Sequence, residues 1–406
     1  MKKRTGKPQK RLLAFAVMLL GILLCSGCLK EENLKEKAEM LLDHVPETVS
    51  SEPEEVQRLR EQEVAASDGE HLEYYFRQLS QEEQRTYREI LEGTKNWETD
   101  IYLSTADSDG IDRAYHAMML DHPELFWIRN RELTYKTIYD TYTVFQPGYT
   151  GTPEEAQSVQ AQMESAYQEV AQAASGQDVY NQARIVYEYV INHVEYQAGE
   201  NDQSLAGAFG DGKAVCAGYA AAVQYLLERL GAECIYVSGD AEGTEEGHAW
   251  NIVNMDGMYY YVDATNGDQP EFMEGNAEQM SQETILYDYL CPFPWEYEVS
   301  YQNDGEFSVP SCTSVDENFY VRNGSCFTGY DWDQVYGFAC SILDGGNSLI
   351  RFKYTDEEGY QQAKSALLDQ GQVEEIAQYY MNINGLGQVQ YYYGFMDNLK
   401  TIYLKF

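Results

Sequence analysis

The chain has 406 residues, with 28 Lys and Arg against 67 Asp and Glu, and its formal net charge of −39 makes nucleic acid and other polyanionic surfaces poor partners. The acidity is spread along the chain and reads as a well-solvated surface, with cationic or neutral substrates preferred as a corollary. Beyond the Cys25-Ser26-Gly27-Cys28 stretch no C-x-x-C occurs and the six histidines are scattered, so no structural zinc site is expected and neither metal nor cofactor is implied.

The first 28 residues read as a secretory signal. A basic start, MKKRTGKPQKR, precedes an apolar run from Leu12 to Leu24 and then Cys25-Ser26-Gly27-Cys28. Thirteen apolar residues are too few for a stable bilayer span, which takes about twenty, so cleavage is expected. The L-C-S-G-C stretch resembles a bacterial lipobox, although Cys25 stands where leucine is usual. That resemblance implies lipid modification of Cys28 and a chain anchored to the outer face of the cell membrane. Two or three acyl chains hold stably where one binds only marginally. Loss of residues 1–28 removes six Lys and Arg and no acid, leaving a formal charge of −45.

Residues 29–69 are rich in Glu and Lys and poor in aromatics, and read as a charged spacer, helical in part from Glu31 to His44. Residues 70–150 are tyrosine-rich and read as an N-terminal α+β domain. Ser80 and Glu83 form a capping box for a helix that Gly93 should stop. Asp107-Ser108-Asp109-Gly110 has the start of a calcium loop, but the last ligand position falls on His116, so Asp107 is taken as the cap of a helix ending near Asp121. Pro123 to Ile128, Glu132 to Ile138 and Thr141 to Phe145 look like strands.

Residues 151–300 hold the chemistry. Two amphipathic helices, Pro153 to about Ala174 and Val179 to Val194, lead in. Cys216 should open a third, because Val215, Tyr219, Val223, Leu226, Leu227 and Leu230 recur at three- and four-residue spacing before Gly231. Near the positive end of a helix dipole, with Lys213 close by, its sulfur is a candidate nucleophile, although a lone cysteine is more often a small buried apolar residue. His248 begins an alternating segment joined through Asp256-Gly257 to a second one ending at Asp263. With a two-residue loop His248 and Asp263 are diagonal neighbours on one face, Cβ atoms at most ~7–8 Å apart. A four-residue loop sets them opposite each other, and an odd loop separates the faces. Taken singly, His248 reads as a sheet histidine and Asp263 as a strand-end cap. Together with Cys216 they make a candidate triad in which Asp263 orients the imidazole that takes the thiol proton.

Residues 301–406 read as a separate C-terminal α+β domain with strands at Asn318–Val321, Leu349–Tyr354, Gln388–Tyr393 and Thr401–Phe406, and without histidine. Six cysteines remain in the mature chain. Cys312 and Cys326 are the candidate disulfide pair if the compartment is oxidising.

G-K-A-V-C-A-G-Y-A, G-H-A-W-N and Y-Y-Y-V-D-A-T resemble the three motifs of the transglutaminase-like cysteine enzymes, over about Val179 to Trp295. The N-terminal D-H-P-E-L-F-W resembles the segment preceding the core in bacterial lipoproteins of that family. The resemblance implies an α+β, papain-like core with catalytic Cys216, His248 and Asp263. It also calls for an oxyanion hole, for which the Cys216 backbone N–H and Gln203 are candidates, although Gln203 reads equally as a solvent-exposed loop residue. Arylamine acetyltransferases use a similar set, but the Arg and Gly they place before the cysteine are missing. The expected function is an extracytoplasmic, membrane-anchored thiol enzyme attacking amide bonds of protein or cell-wall peptide, as peptidase, amidase or acyltransferase. A non-catalytic surface lipoprotein using the same fold to bind protein or glycan is the rival. A solute-binding protein with two α/β lobes does not fit the short antiparallel hairpins.

Overall fold

The computed structural model describes residues 53–62, 69, 71–128, 134–138, 142–241, 247–276 and 285–406. Cys28, the signal segment and the helix expected from Glu31 to His44 lie outside them. Among the described residues no helix is long and apolar enough to cross a membrane. Every element below belongs to the compact unit Arg58–Phe406.

Helix α1 (Gln81–Lys95) begins with the expected capping box, in which the Glu83 N–H donates to Ser80 Oγ at 3.3 Å and the Ser80 N–H to the Glu83 carboxylate at 2.7 Å. It runs through Gly93 because the backbone bond from Asn96 N–H to Glu92 O, at 3.1 Å, continues the ladder. Helix α2 (Ser108–Asp121) starts after Asp107, whose side chain makes no cap bond. The strand expected over Pro123–Ile128 is absent. Bonds from Leu125 N–H to His122 O and from Ile128 N–H to Leu125 O, both 3.1 Å, fold it into successive turns. Strands β1 (Ile101–Leu103), β2 (Thr134–Ile138) and β3 (Tyr142–Gln146) form an antiparallel sheet in the order β1-β3-β2.

Helices α3 (Pro153–Ala174) and α4 (Val179–His193) are where the sequence puts them. A short parallel pair, β4 (Glu195–Tyr196) with β5 (Lys213–Ala214), brings the chain to α5 (Cys216–Arg229). Then come β6 (Cys234–Ala241), β7 (Gly247–Met255), β8 (Met258–Val262), the helical turn α6 (Ala264–Gly267), β9 (Glu274–Gly275), α7 (Pro294–Tyr297) and β10 (Tyr301–Asn303). The central sheet is antiparallel, in the order β10-β6-β7-β8. Its hairpin has the two-residue loop: Met255 pairs with Met258, and Asp256 and Gly257 both take positive φ, 53° and 89°. That is the conformation a tight hairpin demands and Asp-Gly supplies. One face packs Cys234 and Val253 with Tyr219, Val223 and Leu226 of α5, while Ile235, Val237, Trp250 and Ile252 pack with Ala117 and Met118 of α2. Burial on both faces fixes the register, since a one-residue slip would invert every side chain.

Beyond the core, Asn318–Val321 is not a strand. Asn318 Oδ1 accepts from the Tyr320 and Val321 N–H groups and caps a helical turn, α8 (Phe319–Arg322). Strands β11 (Cys326–Phe327), β12 (Leu349–Tyr354), β13 (Tyr392–Met396) and β14 (Thr401–Lys405) join β9 in the order β11-β12-β14-β13-β9. Cys312 and Cys326 are both free thiols: Cys312 is buried beside the Tyr261 hydroxyl on β8, and Cys326 sits in β11 against β12.

Candidate active site

The first turn of α5 carries Cys216, half-buried and free. Val215, in extended conformation, precedes it, and no side chain caps the helix, so the N-terminal N–H groups and the positive end of the dipole meet the thiol. The Val215 N–H donates to Asp202 O at 2.9 Å, which fixes the loop holding Gln203 against this helix start. Lys213 is engaged elsewhere, hydrogen-bonded to Gln197 at 2.5 Å and paired with Glu195 at 3.6 Å.

His248 stands at the start of β7 and pairs with Gly239 of β6. A Cβ on Gly239 would lie 1.9 Å from Gln302 O, so only glycine allows β10 so close to β6. That approach sets Tyr301 against the imidazole, ring centroids 5.1 Å apart, while Trp250 stacks on it at 5.9 Å. Asp263 follows β8 at the first turn of α6 and is 1% exposed. His248 Nε2 is 2.8 Å from Asp263 Oδ2. The same carboxylate accepts from Tyr297 OH at 2.9 Å, Asn266 Nδ2 at 2.7 Å and the Asn266 N–H at 3.0 Å, so Asp263 both caps α6 and holds the histidine. Four donors on one buried carboxylate keep it in place.

Burial works to lower the His248 pKa, but the Asp263 charge and hydrogen bond, with the Cys216 side chain within hydrogen-bond reach, outweigh it and hold the imidazole at about 10. Near neutrality the ring is therefore protonated. With Nε2 held by Asp263, Nδ1 is the nitrogen left to exchange a proton with Cys216.

Residues 168–264 match the model of the transglutaminase-like superfamily. This stretch is a transglutaminase-like core. The match takes in Cys216, His248 and Asp263 and begins earlier and ends sooner than the motifs alone suggest. Among solved structures, one described as a TGase is 17% identical over 41% of this chain and 50% of its own, with a TM-score of 0.26. A candidate cysteine protease from Cytophaga hutchinsonii is 17% identical over 33% of this chain and 61% of its own, with a TM-score of 0.23. The chain thus spans half to about three fifths of these relatives, and at such scores neither bears on the site. No curated protein matches the chain.

The transglutaminase-like core brings Cys216, His248 and Asp263 together. Gln203 is exposed on its loop and lines two cavities of roughly 680 and 750 Å³. Asn266, Tyr297 and Tyr301 were not legible as site residues. Asn266 stands three residues after Asp263, where a cap donor belongs, and that spacing was a usable signal. The two tyrosines come from the far end of the core and leave no local trace.

Proposed function

We propose that the chain is a membrane-anchored, extracytoplasmic thiol enzyme that acts on amide bonds of protein or peptide, cell-wall peptide included. Cys216 Sγ, its proton passed to His248, attacks the amide carbonyl carbon, and the C=O electron pair moves to oxygen. As the tetrahedral species collapses the C–N bond breaks, His248 protonates the leaving nitrogen, and a thioester remains. Water then attacks, giving its proton to His248, and the C–S bond breaks to release acid and thiol. An amine in place of water gives transamidation. Hydrolysis is the better-supported outcome, because no channel dedicated to an amine is evident in the sequence. The observation that carries the reading is the 2.8 Å bond between His248 Nε2 and the buried Asp263 carboxylate, with the Cys216 thiol at a helix N-terminus within reach of the ring.

The test uses residues 29–406, incubated with casein plus a primary amine and, separately, with cell-wall peptides, products being read by mass spectrometry. Shortened peptides or new isopeptide bonds, lost in Cys216→Ala, are expected. No product from any substrate, together with retained binding, would instead mark a binding module.

A further inference from the structure

A cavity of about 680 Å³ runs from Gln203 and Ser204, on the loop held against the start of α5, along Ala221 and Gln224 of α5 to α2. Tyr236 projects into it from β6. It pairs across the sheet with Asn251, whose amide donates to Ala220 O of α5 at 3.0 Å, so this part of β6 lies against the first turns of the helix that begins with Cys216. Only the Tyr236 carbonyl is engaged, accepting from Tyr75 OH at 2.5 Å. Among the described residues its hydroxyl has no hydrogen-bond partner.

We propose that the Tyr236 hydroxyl is the second donor of the oxyanion hole, acting with the Cys216 backbone N–H on the oxygen of the tetrahedral species. The inference rests on the thiol acyl-transfer reading. When Cys216 Sγ bonds to the carbonyl carbon, the displaced electron pair resides on oxygen and needs donors fixed in advance. Tyr236 meets that demand better than Gln203. It stands on an inner strand of the sheet and its backbone is tied to Tyr75, whereas Gln203 is exposed on a loop. Burial first, then the nearby Cys216 and Asp304, hold the Tyr236 pKa far above the usual phenol range, so the hydroxyl keeps the proton it must donate.

Alkylation by iodoacetamide displaces iodide and forms no oxyanion, while acylation by a p-nitrophenyl ester passes through one. Tyr236→Phe keeps the ring and removes only the donor. Its ester acylation is expected to fall by roughly 10² to 10³-fold, with iodoacetamide alkylation of Cys216 within about threefold of the parent. Gln203→Ala is expected to change acylation by less than about threefold. Equal losses in alkylation and acylation for Tyr236→Phe, an unchanged acylation rate, or a larger loss in Gln203→Ala would each overturn the assignment. Absence of any p-nitrophenolate burst in the parent protein would sink the acyl-transfer reading itself, which is a separate outcome.

Discussion

Replacing Asp263 by Asn tests how the site controls its proton. The carboxylate receives His248 Nε2, Tyr297 OH and Asn266 Nδ2 on Oδ2, and the Asn266 N–H on Oδ1. An amide has one oxygen for these four donors. If its oxygen takes the Oδ1 place, the NH2 faces His248 and donates to Nε2, which leaves the proton on Nδ1, the nitrogen that should accept from Cys216. If the oxygen takes the Oδ2 place, the NH2 opposes the Asn266 N–H. Either way the negative charge is gone, and only the Cys216 side chain still opposes burial at His248. The imidazole pKa of about 10 should then fall toward the ordinary 6.5. A fall from 10 to 6.5 corresponds to roughly 5 kcal/mol. The rate of ester acylation should drop by roughly 10⁴-fold, the scale of such replacements in serine triads, with little change in binding. Histidine NMR titration, with His248→Ala used to assign the resonance, reads the pKa directly. A variant within tenfold of parental activity, or a His248 resonance still titrating near 10, would refute the argument.

Stability should fall between pH 6.5 and 10. His248 and His122 both have folded-state pKa values raised to about 10, His248 chiefly by Asp263 and His122 by Glu124 and Glu73, in each case against burial. A raised pKa stabilises fully below the unfolded value of about 6.5 and is lost as pH climbs through the folded one, so the melting temperature at pH 10 should lie below that at pH 7. A flat profile would contradict the assignment. Lys353→Met should cost roughly 3–5 kcal/mol by urea denaturation, because Glu296, 3% exposed at its side chain, loses the Lys353 ammonium at 2.7 Å and keeps only Lys400 at 3.0 Å. A loss under about 1 kcal/mol would show that this buried pair does not tie β12 to α7. Cys216→Ala should abolish activity with nearly unchanged melting temperature, and a large drop would instead mark a packing cysteine.

The core was legible because its signals are local and mutually consistent. Apolar spacing after Cys216 gave α5, Asp256-Gly257 gave the tight turn, and the turn's even count put His248 and Asp263 on one face. Elements whose conformation depends on distant packing or on competing caps were not legible. Asn318 turned an apparent strand into a helical turn by capping it, and Pro123–Ile128 folded into turns despite its apolar run. β9 is a two-residue strand whose place beside β13 no sequence period announces. Tyr301 reaches the His248 ring only because Gly239 lets β10 close on β6, and Tyr297 reaches Asp263 from α7. Tyr236 was hidden in another way, since a tyrosine on a half-buried strand looks the same whether it packs or donates.

The central claim is that Cys216, His248 and Asp263 act as one unit on the thiol. Competitive iodoacetamide labelling at pH 7, read by mass spectrometry cysteine by cysteine, tests it most directly in the parent and in His248→Ala. Cys216 should be alkylated well ahead of Cys326 and Cys340, which are also half-buried, and should lose that lead when His248 is removed. Equal labelling of the three thiols in the parent, or an undiminished lead for Cys216 in His248→Ala, would contradict the account.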